Sequence, residues 1–157
     1  MQSSKKSISK KEALQKLASY CAYQDRCLQE VQQKLREYDL VQEEMDWVVE
    51  SLIAEKFLDE QRFASTFCRS KFNHKKWGRN KIRYALKGKG IEEKLIAKGL
   101  LEINEQAYCE TLSDLLEKKK KTIKDKEPFK VKKKLYAYAV GKGFEAELVR
   151  STITQLI

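Results

Sequence analysis

The sequence predicts an all-α protein, an elongated array of three tandem three-helix repeats, and three observations carry that expectation. Apolar residues recur at three- and four-residue spacing, and no segment alternates with period two, so strands are not expected. Capping residues and glycines punctuate the pattern at short intervals and divide it into nine short helices. The chain is 41% apolar and 36% charged with a mean hydropathy of -0.66, which suits small amphipathic helices with much wetted surface better than one thick core.

Residues 1–8 are expected to form a flexible tail. Ser9-Lys10-Lys11-Glu12 then reads as a capping box, the serine bonding the third helical amide and the glutamate reaching back. Ala13, Leu14, Leu17, Ala18 and Cys21 continue that helix to about Tyr23. Asp25 is placed to cap a second helix carrying Leu28, Val31 and Leu35, which ends near Tyr38-Asp39. A third carries Val41, Met45, Val48, Val49, Leu52 and Ile53 and reaches about Glu55. Asp59 caps the fourth, along which Phe63, Phe67 and Phe72 recur, and Gly78 breaks it. The fifth carries Ile82 and Leu86 and closes at Gly90, where a left-handed residue ends a helix. The sixth runs from Glu92 through Leu95 and Ile96 to about Leu100. Asn104 caps the seventh, with Tyr108, Leu112, Leu115 and Leu116; its far end is expected to fray at Lys118-Lys119-Lys120-Lys121, where like charges repel. Pro128 suits the first turn of an eighth helix bearing Val131, Leu135, Tyr138 and Ala139, which Gly141-Lys142-Gly143 stops. The ninth, about Glu145 to Leu156, carries Leu148, Val149 and Ile153.

The nine fall into three groups related by sequence. Asp59-Glu60-Gln61-x-Phe63 corresponds to Asn104-Glu105-Gln106-x-Tyr108, and Lys89-Gly90-Ile91 to Lys142-Gly143-Phe144, with Ile82 and Leu86 opposite Leu135 and Ala139. Val31, Leu35 and Asp39-Leu40 echo the same positions more faintly. The expected organisation is a tail at 1–8 and repeats at 9–57, 58–103 and 104–157, the last holding a lysine-rich insertion. Each unit is too small to be comfortable alone and gains by packing on its neighbour.

A formal charge of +10 and a pI near 9.4 point to a polyanionic partner: nucleic acid, a nucleoprotein or an acidic protein surface. Arg62, Arg69, Lys71, Lys75, Lys76, Arg79, Lys81, Arg83, Lys87 and Lys89 crowd one helical unit. Lys130, Lys133 and Lys134 stand in a second cationic block that also holds Lys118 to Lys121, Lys124, Lys126 and Lys132. Such cations gain free energy by releasing condensed counterions from phosphates, which demands little geometric precision. Trp77 and Tyr84 lie among the first set, either to stack on bases or, the commoner fate, to pack in a core; Phe63 and Phe67 are core residues.

Enzyme chemistry finds little support. One histidine, His74, no Gly-rich phosphate loop and no H-E-x-x-H leave the usual nucleophile and metal arrangements without their parts. Cys21, Cys27, Cys68 and Cys109 form no C-x-x-C pair and read as reduced, packed thiols, so no metal or other cofactor is expected. With no apolar leader and no run near the roughly 20 residues of a membrane helix, a cytoplasmic monomer without membrane contact is expected.

The motif Leu58-Asp59-Glu60-x-Arg62-Phe63-Ala64, followed by Gly78-x-x-Lys81-Ile82-x-x-x-Leu86-x-x-Lys89-Gly90-Ile91, resembles the RecX family, bacterial regulators of the RecA recombinase. Ala13-Leu14, Ala18, Asp25-Arg26-Cys27, Glu30-Val31 and Lys34-Leu35 look like the family's N-terminal motif, with Cys27 where serine is common. Lys81 stands where the family often has arginine, and a bidentate contact made by arginine would be weakened by lysine. The resemblance implies three tandem three-helix repeats, no catalysis, and binding along the RecA filament on single- or double-stranded DNA without sequence preference. It further implies inhibition of RecA ATP hydrolysis and strand exchange, within recombination, DNA repair and the SOS response. The alternatives are a direct DNA-binding protein, since the short helices around Gly78 loosely resemble a helix-turn-helix, and a helical scaffold for an acidic partner.

Overall fold

The computed structural model describes residues 4–157. Among them the chain forms nine α-helices and no strand: α1 (Lys10–Tyr23), α2 (Leu28–Leu35), α3 (Gln42–Ala54), α4 (Glu60–Lys75), α5 (Arg79–Gly88), α6 (Glu93–Leu100), α7 (Glu105–Thr122), α8 (Pro128–Gly141) and α9 (Ala146–Leu156). They pack in threes, α1 on α2 and α3, α4 on α5 and α6, α7 on α8 and α9.

Matched caps open each group. Ser9, Asp59 and Asn104 accept from the backbone N–H groups of Glu12, Arg62 and Ala107, satisfying amides that the first helical turn leaves unpaired. At the first, Glu12 meets the Ser9 hydroxyl at 3.4 Å. Ile8, Leu58 and Ile103 precede these caps and turn toward the core, Leu58 and Ile103 being buried. Gly90 and Gly143, at equivalent places after α5 and α8, both have left-handed backbones (φ +77° and +100°).

Five expectations need correction. Asp25 does not cap α2: Cys27 holds that position, Glu30 reaches back to its N–H at 3.0 Å, and Asp25 faces Arg62. Gly78 does not end α4. That helix closes at Lys76, itself left-handed (φ 56°), where Lys76 N–H bonds Phe72 O and Trp77 N–H bonds Lys71 O. A non-glycine there costs roughly 1–2 kcal/mol, which packing of Trp77 against Phe67 and the core offsets. The far end of α7 does not fray; it is helical to Thr122. Its last-turn lysines face the helix's negative end, Lys119 lies 5.0 Å over the Tyr138 ring, and Lys120 donates to Leu156 O. Of the expected tail, residues 1–3 lie outside the described residues, while Lys6 pairs with the α2–α3 connection: its N–H meets Glu37 O at 3.4 Å and its carbonyl accepts from Asp39 N–H at 2.8 Å. Phe63 is buried; Phe67 is only half-buried at the core's edge.

The apolar residues form two cores. One, inside α1 to α3, contains Ala13, Leu17, Val31, Leu35, Val48 and Leu52. The other runs without a break through α4 to α9, from Phe63 and Ile82 to Leu112, Leu135 and Ile153. Three aromatic rings cross its middle: Phe72 of α4, Tyr108 of α7 and Phe144 before α9, with centroids 5.7 and 5.0 Å apart.

The second and third groups also meet backbone to backbone. Gly78 N–H bonds Lys142 O at 2.8 Å and Asn80 N–H bonds Gly143 O at 2.9 Å. A methyl group at Gly78 would overlap the Gly143 and Phe144 backbone, and one at Gly143 would come within 2.6 Å of Lys81 N. Gly78 is needed for this close approach, not for a left-handed turn.

Candidate polyanion interface

Most of the cations picked out by sequence are occupied. Arg62 donates to Asp25 at 3.0 Å and to the Lys56 and Phe57 carbonyls at 3.1 Å, tying α4 to the first group. Arg69 pairs with Glu102 at 3.3 Å, Arg83 and Lys87 share Glu93, Lys130 lies 3.8 Å from Glu127, and Lys134 pairs with Asp125. Lys89 sits 5.9 Å over the Phe63 ring, and Lys133 is exposed on α8.

Arg79 is turned inward. Its guanidinium stacks 3.9 Å from the Tyr108 ring centroid, bonds Glu145 at 2.8 Å, pairs with Glu105, and leaves the side chain 21% exposed. Tyr108 O–H donates to Glu145 and accepts from Arg79 N–H at 2.9 Å. Burial works against the Arg79 charge, but Glu145 and its neighbours outweigh it and raise the arginine's pKa. Burial likewise opposes the Glu145 charge, yet bonds from Tyr108 and Arg79 hold its pKa below the usual carboxylate value. Burial and the Glu145 bond push the Tyr108 hydroxyl up. This closed network joins α5, α7 and the N-cap of α9.

Lys71, Lys75, Lys76 and Lys81 remain open around the α4–α5 connection, as does Lys133 on α8. None of them makes an ion pair with a carboxylate among the described residues. The third group adds Lys142, whose Nζ donates to Lys75 O at 3.1 Å. Sequence reasoning read Lys142 only as part of a helix stop. Its signal was the correspondence of Lys89-Gly90 with Lys142-Gly143, which puts a cation at the same place in both repeats. Trp77 packs half-buried beside this cluster, and Tyr84 stands 81% exposed on α5. His74 is exposed in the last turn of α4.

The positive charge is unevenly spread. Residues 58–103 carry 12 Lys and Arg against 5 Asp and Glu, whereas residues 9–57 carry 7 against 10, so the excess of positive charge lies outside the first group. The cysteines add no chemistry to this surface: burial raises the Cys21 and Cys27 thiols and pushes Cys68 up to about 11. Among the described residues no cluster of His, Cys, Asp or Glu is grouped to hold a metal ion, and no helix is long and apolar enough to cross a membrane.

Two stretches match known three-helix domains, residues 59–100 the second such domain of RecX and residues 106–153 the third. The regulatory protein RecX of Prosthecochloris aestuarii is 30% identical over 147 residues, 94% of this chain and 95% of that protein. The chain belongs to the RecX family. It is also 28% identical over 138 residues to regulatory protein RecX of Bacillus cytotoxicus, and spans 51% of that longer protein, about half the length of the Bacillus relatives it matches. The crystal structure of RecX from Lactobacillus salivarius has the same fold, with a TM-score of 0.87 at 22% identity over 94% of this chain and 96% of that one. A second regulatory protein RecX structure gives 0.83 at 23% identity, over 93% and 71%. The nine helices among the described residues, expected from apolar spacing, caps and glycines, thus pack in the RecX fold.

Proposed function

We propose that the protein regulates RecA recombinase filaments on DNA, lying along them and inhibiting ATP hydrolysis and strand exchange without chemistry of its own. RecX family membership supports this reading, and the observation that carries it structurally is the lysine cluster left without carboxylates across two docked repeats. Several weak contacts from one array to recombinase subunits and to DNA add through effective concentration, so no single contact has to be strong. A filament held this way cannot cycle through the shapes that ATP turnover and duplex entry require. The DNA contact is sequence-independent, to single or double strands, and the working form is a cytoplasmic monomer.

The test is an ATPase and strand-exchange assay of the cognate recombinase with added protein. Reversal of Lys71, Lys75, Lys76 and Lys81 to glutamate should lower inhibitory potency at least about tenfold, given how steeply polyanion affinity depends on cation number. Helical circular dichroism should be unchanged, because none of the four pairs with a carboxylate in the fold. Inhibition by this variant equal to that of the unchanged protein would sink the reading. Arg79 and Arg83 are excluded from the set: reversing them would break fold-internal ion pairs and confuse loss of binding with loss of structure. Truncation after Ile103 is unsuitable for the same reason, since it would strip Tyr108, Leu112 and Leu135 from the shared core.

A further inference from the structure

Two of the open lysines at the seam between the second and third repeats lie over one indole. Lys71 Nζ lies 4.9 Å and Lys81 Nζ 4.6 Å from the Trp77 ring centroid, and Phe67 meets the same ring edge-on at 6.5 Å. A base stacking on Trp77 would have to displace an ammonium group that the ring already attracts. Lys142 reaches in from the other repeat, and burial together with the Lys81 charge lowers its pKa, as expected where cations gather without a carboxylate. The residue types matter as much as their positions. All four arginines between 58 and 103 are engaged in ion pairs, so the free cations of this seam are lysines. A lysine is a point charge that suits a phosphate oxygen; it lacks the planar fork that reads guanine edges.

We infer that the seam formed by Lys71, Lys75, Lys76, Lys81 and Lys142 is a phosphodiester-binding site in which Trp77 is a platform that holds two lysines in place, not a surface on which bases stack. The inference rests on the proposed regulatory reading for its nucleic-acid partner and specifies how that partner is held: by backbone alone, through residues of two repeats at once.

The experiment uses the full chain without recombinase, following the fluorescence anisotropy of a labelled dT oligomer and of an abasic phosphodiester strand of equal length. The two should bind within about threefold of each other, whereas stacking of a single base would separate them by about tenfold or more. Lys81→Gln and Lys142→Gln should each weaken both strands and lower the slope of log affinity against log salt by about 0.7, the share of one single-strand phosphate contact. Trp77→Leu should weaken both strands by the same factor. An abasic strand bound tenfold more weakly, or a Trp77→Leu defect confined to the dT strand, overturns the inference. Poly-glutamate bound as tightly as the abasic strand also overturns it, in favour of an acidic protein surface. If neither strand binds yet the recombinase is still inhibited, this inference falls and the regulatory reading stands; if both strands bind and the recombinase is unaffected, the reverse holds.

Discussion

Gly90 and Gly143 occupy the same place in consecutive repeats and share a left-handed backbone, but their surroundings differ. Nothing lies within 4 Å of a Cβ at Gly90, whereas one at Gly143 meets Lys81 and Gly78. Gly90→Ala is therefore expected to cost only backbone strain, about 1–2 kcal/mol, and Gly143→Ala clearly more, as judged by urea denaturation. Gly78→Ala, with an ordinary φ, should still cost about 2 kcal/mol or more because two backbones must part. Equal, small losses at Gly78 and Gly90 would contradict the close approach. The Arg79–Tyr108–Glu145 network predicts a pH response. The Glu145 pKa is lower in the folded chain than its ordinary 4.5, so below that pH the unfolded chain binds more protons and stability falls as pH drops. Glu145→Gln removes this term: the stability gap between it and the unchanged protein should be widest at neutral pH and narrow on acidification below about 4.5. A gap that stays constant would show that the ionised carboxylate is not what stabilises the network.

At the scale of helices, local chemistry was largely legible. Ser9, Asp59 and Asn104 are short polar side chains before apolar periodic runs, and they cap as their chemistry dictates. Asp59→Ala and Asn104→Ala should each cost about 1 kcal/mol, and Asp25→Ala less, since it gives up a partly exposed pair with Arg62 and no cap. A thermal-melt series reads this ranking directly; a larger loss at Asp25 than at Asp59 would reverse it. Where reading by neighbours failed, a distant part of the chain decided. Glycine at 78 looks like a helix breaker, but its purpose lies 65 residues away at Gly143, and no local pattern reveals it. Four successive lysines look like a fraying end, but Tyr138 and the Leu156 carbonyl receive two of them. Arg79 looked like a binding cation for the same reason: Glu105 and Glu145, which claim it, belong to another repeat.

For the whole molecule, three repeats do not mean three cores. The first repeat has its own, while the second and third share one. Leu17→Ala should cost about 2–5 kcal/mol and raise hydrogen exchange chiefly in α1 to α3; Leu112→Ala, of similar cost, should loosen α4 to α9 together. Protection in α4 to α6 that survives Leu112→Ala would contradict a continuous core. The periodicity that predicted nine helices says which face of each is apolar; it does not say whether that face closes within its repeat or against the next. The candidate interface was legible to the same depth. The basic stretch could be read from composition, but which of its members stay free of carboxylates required the fold.

The chain leaves α3 through left-handed Lys56 and enters α4 at Asp59. Besides Cys27, buried in the second core, and Leu58, buried in the first, the two repeats are joined by side-chain polar links: Asp25 to Arg62, Glu60 to Leu28 N–H, Gln29 to Gly88 O. Beyond it, main-chain bonds and a common interior lock the remaining six helices. Strain along the array is therefore expected to be taken up between α3 and α4, while the lysine seam, held by main-chain bonds and a shared core, keeps its shape.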